Sequence, residues 1–329
     1  MPEWLYEEGI GESRAALVHK GEILEAYVER DGKRALAGAV APGRLIHTVI
    51  PRRRGIVRLD SGEETLLEPI PPKLAEGANV LVEILRESIA EEGRDKLAKV
   101  RVAQAGAKAL PGASLYQRIA ATEISVQACP AHEPDRLEEH GWGELMEEAI
   151  SGEIGTEAAS LRIFLTPAMT LIDVDGSLPP AQLGPKGAAL AAKAIRRMGI
   201  TGSIGIDLPT MNNKDERQIA ANLFDKHLPQ PFERTAVNGF GFLQVIRRRE
   251  RPSLMEVLRE DPVLTAALAL LRRGERHGTG GGVTLVGAPA VIARLGKAKE
   301  WIALLERRRG GTVTLRADND LAISSYYAE

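Results

Sequence analysis

A single cysteine, Cys129, in a chain of 329 residues rules out an intrachain disulfide framework and any zinc site built on paired cysteines within one chain. Its side chain reads as a small buried apolar group. Aromatic residues make up only 4% of the sequence, so base stacking is expected to contribute little and sequence preference toward a nucleic acid to be weak. Neither sign of charge dominates: Lys plus Arg total 43 against 45 for Asp plus Glu, a formal charge of -2. No whole-protein field then draws in a polyanion, and any such partner must be held by local patches. Nowhere does the chain offer the ~18 uncharged apolar residues of a membrane helix. The opening MPEWLYEEGI has neither a basic start nor an apolar stretch, so the expectation is a cytoplasmic protein with no membrane partner. Internal repeats and low-complexity tracts are missing too.

What is present suits a soluble globular protein of two or three domains, with 44% hydrophobic and 27% charged residues. Residues 13–34 alternate on either side of Lys20-Gly21 and predict a β-hairpin, which needs a larger sheet to be stable. From 35 to 102, short β-like runs (LAGAVA, RLIHTVI, RGIVRLD, TLLEPI, ANVLVEILRE, LAKVRVA) are separated by Gly, Pro and charged turns. That rhythm predicts a small closed barrel of OB type. Between 103 and 160, GASLYQRIAA and RLEEHGWGELMEEAISGEI predict helices flanking a strand, EISVQAC.

After Ser160 the pattern sharpens. LRIFL and MTLIDVD predict strands around Thr166-Pro167, then a helix over 181–198 ended by Gly199, the strand SIGIDLP, a helix over 213–227, and a long strand pair in FERTAVNGFGFLQVIRRR. From about Leu254 the order helix, strand (GVTLVGAP), helix (AVIARLGKAKEWIALLERRR), strand (TVTLRAD), strand (LAISSYYA) predicts a small α/β domain. GTGGG at 278–282 lacks the lysine of a phosphate loop and reads as a turn.

Two of these strands finish on an acid. Asp173 in LIDVDGSL and Asp207 in SIGIDLPT each follow an isoleucine, and the one helix between them predicts neighbouring parallel strands joined by a right-handed crossover. Two bare carboxylates that close repel unless a cation sits between them. All-oxygen ligands favour Mg²⁺, for which Mn²⁺ can substitute, over zinc. Such an ion polarises a phosphodiester and lowers the pKa of a water. The plainer account is that Asp in DVDG and DLPT starts turns, as Asp often does; on these residues alone the two accounts are evenly matched.

The string from Leu161 to Leu254 resembles the catalytic region of the ribonuclease E/G family. The resemblance is carried by LTPAMTLIDVDGSL, AIRRMGITGSIGIDLPTMNNKDERQIAANLFDKHL and GFGFLQVIRRRERPSL. It implies a Mg²⁺-dependent endoribonuclease acting on single-stranded RNA, with Asp173 and Asp207 as metal ligands. The family's metal-site asparagine falls on Asp175, an extra acid here that would orient a water or support a metal ligand from behind, and the second aspartate of its IDFIDM stretch falls on Thr210.

The implied fold is an α/β multidomain one. An N-terminal hairpin (1–34) belongs to an RNase H-like region, an OB-type RNA-binding barrel (35–102) is inserted after it, and a reduced RNase H-like and sensor remnant follows (103–160). A DNase I-like mixed α/β catalytic domain (161–254) and a small C-terminal α/β domain (255–329) complete it. The chain departs from the family in three ways. The 103–160 stretch is short and lacks the arginine-threonine signature of a 5′-monophosphate pocket. The zinc-linking cysteines are missing, so any homo-oligomer is not zinc-linked. Aliphatics replace the aromatics of the barrel face around GIVRLD and TLLEPI.

Phosphate grips are sought among arginines. Arg52, Arg53 and Arg54 form a triple in a barrel loop, and Arg247, Arg248 and Arg249 follow the strand GFLQVI, which the family places beside the metal. Alternation sends Arg247 and Arg249 to one side and Arg248 to the other. The polar stripe Lys186, Lys193, Arg197 reads as a solvated helix face, and Arg307 to Arg309 as charges suited to a helix C-terminus. No histidine has a patterned partner. Two rival readings stand beside the nuclease: an RNA-binding protein that keeps the fold without cutting, and a metal-dependent phosphohydrolase of small nucleotides.

Overall fold

Lys20 and Gly21 both take left-handed dihedrals, at φ 51° and 84°, and so turn the strand Glu12–His19 back onto Glu22–Arg30 with the twist a tight hairpin requires. The computed structural model describes residues 1–32, 35–91, 95–278 and 280–329; Lys33 and Arg34, the end of the expected hairpin segment, lie outside the described residues. The hairpin joins a four-stranded sheet in the order Glu22–Arg30, Glu12–His19, Glu3–Glu8, Val126–Ala128.

The chain divides into two compact units. The first takes residues 1–31, 119–150 and 257–329. Besides the four-stranded sheet it holds the helix Pro262–Arg276 and a three-stranded sheet in the order Val313–Ala317, Val283–Gly287, Tyr326–Ala328. Leu268, Leu271, Leu285, Val291, Leu295 and Leu305 pack its core together with Ile10. Each such buried aliphatic contributes about 1.5–3 kcal/mol.

Under the four-stranded sheet lies an ionic cluster. Arg14, 1% exposed, reaches Glu7 at 2.7 Å and also Asp135, and Arg276 reaches the same Glu7 oxygen at 2.6 Å. Arg272 pairs with Glu12.

Three sequence expectations change here. The helix expected to run through to Arg309 breaks at Ala298 (φ -90°, ψ 59°), giving Pro289–Lys297 and Lys299–Arg309; Gly296 weakens helical preference at that turn. The strand expected across LAISSYYA is only Tyr326–Ala328. The helix expected through GEI stops at Ser151, Gly152 takes φ 81°, and Glu153–Gly155 is a strand. In the GTGGG turn, Thr279 lies outside the described residues.

The second unit takes residues 32–118 and 151–256. Its strands Val40–Ile50, Arg54–Leu59, Glu64–Leu67, Ala98–Val102 and Asn79–Arg86 close into a barrel in that order, with residues 92–94 outside the described residues. Leu45, Val57, Leu67, Val82, Ile84 and Val100 fill it. LAGAVA contributes only its end, because the first strand begins at Val40.

Beside the barrel, the same unit builds a six-stranded mixed sheet in the order Glu153–Gly155, Ser160–Leu165, Thr170–Asp175, Gly202–Asp207, Phe242–Arg247, Glu233–Arg234. The long strand pair expected in FERTAVNGFGFLQVIRRR is half missing, since its first member is Glu233–Arg234 alone. Beyond Arg234 the pairing is half side-chain: Thr235 and Asn238 donate their N–H groups to Gln244 O and Phe242 O, each at 3.0 Å, while the N–H groups of Gln244 and Phe242 go to Thr235 Oγ1 and Asn238 Oδ1 at 3.2 and 3.0 Å, a local alternative to full ladder pairing.

Within this unit the barrel is tied to the sheet and its connections. Lys96 Nζ donates to Pro167 O at 2.9 Å, Glu87 N–H donates to Glu250 O at 2.9 Å, and Arg251 pairs with Glu87 at 3.1 Å. Among the described residues no helix is long and apolar enough to cross a membrane.

Candidate functional site

The sheet of the second unit is covered on one face and open on the other. Leu161, Ile163, Ile172, Val174, Ile204, Ile206, Leu243 and Val245 are all buried. They alternate with exposed or half-exposed residues, except at Gly205, which is buried beneath Phe242 and Leu171, so every second residue of each strand belongs to the other face. Over the covered face the helix Pro180–Arg197 supplies Ala188, Ala191, Ala192 and Ile195, and the helix Lys214–His227, with Ala220, Ala221 and Phe224 buried, packs against that helix. The first helix approaches closely because Gly187 has no side chain: a Cβ there would collide with Val174, the residue between Asp173 and Asp175.

Pairing register then fixes what stands beside what on the open face. The strands of Asp173 and Asp207 are parallel neighbours, and these two residues are paired directly. Arg162 is paired with Asp173 on the other side, and Phe242 with Asp207. One row across the face therefore reads Arg162, Asp173, Asp207, Phe242. The row behind reads Phe164, Leu171, Gly205, Gln244. Asp175, two residues beyond Asp173 on the same strand, shares this face and pairs with Ser160.

Neighbouring strands are about 4.8 Å apart, so the carboxylates feel each other. Partial burial, with the negative charges of Asp175 and Asp207, pushes the Asp173 carboxyl above its ordinary range, and Arg162 opposes the shift.

This donor set suits a hard cation. Among the described residues no three His, Cys, Asp or Glu side chains converge as a ready-made metal cage. Mg²⁺ characteristically takes one or two carboxylates and fills its remaining positions with water and phosphate oxygens, which is what a directly paired Asp173 and Asp207 on an open face can offer.

The arginines singled out in the sequence fall in different places. Arg247 sits one residue past the open-face Ile246, so it points to the helix-covered side, where its Nη1 donates to Ile200 O at 2.9 Å. The sequence offers Arg247 as a phosphate grip; register pairs it with Gly202, at the opposite end of its strand from Asp207. Arg249 is paired with Glu256. Arg248 is exposed and pairs with Glu250 at 3.1 Å. At the barrel, Arg54 pairs with Glu68 at 3.2 Å, while Arg52 and Arg53 stand exposed in the turn beside it. Arg52 holds φ at 59°. Thr210 donates its hydroxyl to Phe240 O at 3.3 Å. Cys129 is buried, and burial pushes its thiol pKa up.

Sequence reasoning missed Arg162 and Phe164, although the alternation in SLRIFL signals that both share a face. A separate cavity of about 960 Å³ opens in the first unit, lined in part by Trp142, Met146, Arg259, Arg273 and Tyr326. None of the three acids lines it. No family model matches the chain, and no curated protein matches it.

Proposed function

We propose that this chain is a divalent-cation-dependent endoribonuclease, a shortened protein of the ribonuclease E/G type, that cuts single-stranded RNA. The observation that carries the reading is the direct pairing of Asp173 with Asp207 on an open sheet face, where each acid destabilises the other unless a cation joins them. Asp173 and Asp207 would hold Mg²⁺ or Mn²⁺. When bound, that ion supplies positive charge that polarises a phosphodiester and acidifies a nearby water.

The chain's own groups do the rest. Asp175, on the same face, accepts a hydrogen bond from a water and orients it. Arg162, beside Asp173 in register, presents a cation to a phosphate oxygen. Arg52, Arg53 and Arg248 are the exposed members of the two arginine runs, suited to positioning the backbone rather than reading bases. In this reading the closed barrel is the OB-type module of the family. The sheet is its DNase I-like catalytic region, and any self-association proceeds without a zinc link.

The test is cleavage of a fluorescent single-stranded RNA in Mg²⁺ and again in chelator. The proposal predicts product only with the ion, and none from Asp173→Asn. Binding that persists with no metal-dependent product would favour the non-cutting RNA-binding protein instead.

A further inference from the structure

Three of the chain's five phenylalanines, Phe164, Phe240 and Phe242, gather around the acids, which composition alone gave no reason to expect. Phe164 is 52% and Leu171 36% exposed, and they are paired in register on the open face. Phe242 shares the row of Asp207. Its ring lies over Gly205: a Cβ at Gly205 would come within 2.6 Å of Phe242 Cζ and 3.0 Å of Leu171 Cδ2. Glycine therefore lets the ring and the leucine meet across the strand. Phe240, 83% exposed, stands in the turn whose Gly241 carbonyl accepts the Leu208 N–H at 3.2 Å, just past Asp207. Ile246, 51% exposed, extends the same face.

An apolar, ring-bearing surface left open to water is unfavourable unless something flat and apolar covers it. Its position names the occupant. The apolar row Phe164, Leu171, Gly205 lies two residues, about 7 Å, behind the row of Asp173 and Asp207. A group that places a phosphate over the acid row and a flat unsaturated ring over the apolar row is a nucleotide within a single strand, whose base stacks on aromatic faces with little regard to its identity.

We infer that Phe164, Phe242 and Leu171, the last two packed over the buried Gly205, form a stacking platform for the bases that flank the phosphate held at the acids. The inference rests on the RNA-cutting reading of that site. It places base contact on the sheet face, where the sequence had pointed to a barrel with few rings.

The test compares two fluorescent ligands of equal length by anisotropy in chelator: a single-stranded RNA octamer and its abasic ribose-phosphate counterpart. Wild-type protein is expected to prefer the RNA by about tenfold, a preference of the size that base stacking supplies. Phe164→Ala and Phe242→Ala should each weaken RNA binding about five- to thirtyfold, as expected for loss of a stacked ring. Binding of the abasic strand should be nearly unchanged. Phe242→Leu, which keeps an apolar group over Gly205, should lose the preference without losing Tm, separating stacking from folding.

Equal binding of the two ligands by a wild-type protein that still cuts RNA in Mg²⁺ overturns the platform and leaves the nuclease standing. A wild-type protein that neither binds nor cuts RNA overturns both. A wild-type dimer in sedimentation that separates on Phe164→Asp shows a second copy on this face, and also overturns the platform.

Discussion

Asp173 and Asp207 face each other across adjacent parallel strands, paired residue to residue, with a whole helix between them in sequence. The arrangement carries a conflict, because each negative charge disfavours the other. Burial, together with Asp175 and Asp207, holds the Asp173 carboxyl above its ordinary range.

That conflict has a stability signature. A carboxyl whose pKa is raised on folding costs stability above its folded value, and the cost disappears as pH falls toward the unfolded value near ~3.9. Removing the charge removes the cost. Asp173→Asn is therefore expected to leave the chelator-treated protein as stable as wild type or to raise Tm by up to about 2 °C near neutral pH, while abolishing any rise in Tm on adding Mg²⁺. Thermal unfolding with and without the ion checks both halves.

In kinetics the same acids act on the rate more than on binding. Asp173→Asn and Asp207→Asn are each expected to lower the cleavage rate by orders of magnitude and to change RNA affinity by less than about threefold. Single-turnover rates beside equilibrium binding separate the two effects.

The close approach of the helix Pro180–Arg197 to the acid strand depends on Gly187. Gly187→Val forces a branched side chain against Val174 and is expected to cost about 1–3 kcal/mol, measured by urea unfolding. Activity should fall further than the unfolded fraction explains, because Val174 lies between Asp173 and Asp175.

How much of this was legible in the sequence depends on how far apart the partners lie. The Ile-Asp endings, with a helix of the right length between them, foretold neighbouring parallel strands, and alternation in each strand implied a shared face. The short barrel strands were equally visible, because Gly and Pro punctuate them. The first-unit cluster was not legible: nothing in the sequence joins Glu7, Glu12 and Arg14 to Arg272 and Arg276, which come from the far end of the chain to pair with them. For Arg247, alternation already separated it from Arg248; what the run did not show is the register, which pairs Arg247 with Gly202 at the opposite end of the strand from Asp207.

Arg14 gives that buried cluster a test of its own. Truncating it leaves Glu7, 3% exposed, with Arg276 still on the same oxygen at 2.6 Å. Arg14→Ala is therefore expected to cost less than the ~3–5 kcal/mol of stripping a buried charge of its only partner, about 1–3 kcal/mol. Chemical denaturation reads this directly.

Asp135 contributes to the acid limb of stability. Burial alone would raise its pKa, but Arg14, by charge and hydrogen bond, and then Arg276 hold it below the ordinary carboxylate value. A lowered folded pKa gives stability that is present above the unfolded value near ~3.9 and lost as pH falls through the folded one. Asp135→Asn should thus flatten the fall of Tm below about pH 4 while lowering Tm at neutral pH.

The most direct measurement is a crystal of the protein soaked in Mn²⁺ and examined by anomalous diffraction. The account predicts one strong peak between the carboxylates of Asp173 and Asp207, within ~2.0–2.2 Å of an oxygen from each, and its loss in Asp207→Asn. A peak elsewhere with none at this pair, or carboxylates that stay apart at saturating Mn²⁺, would contradict it.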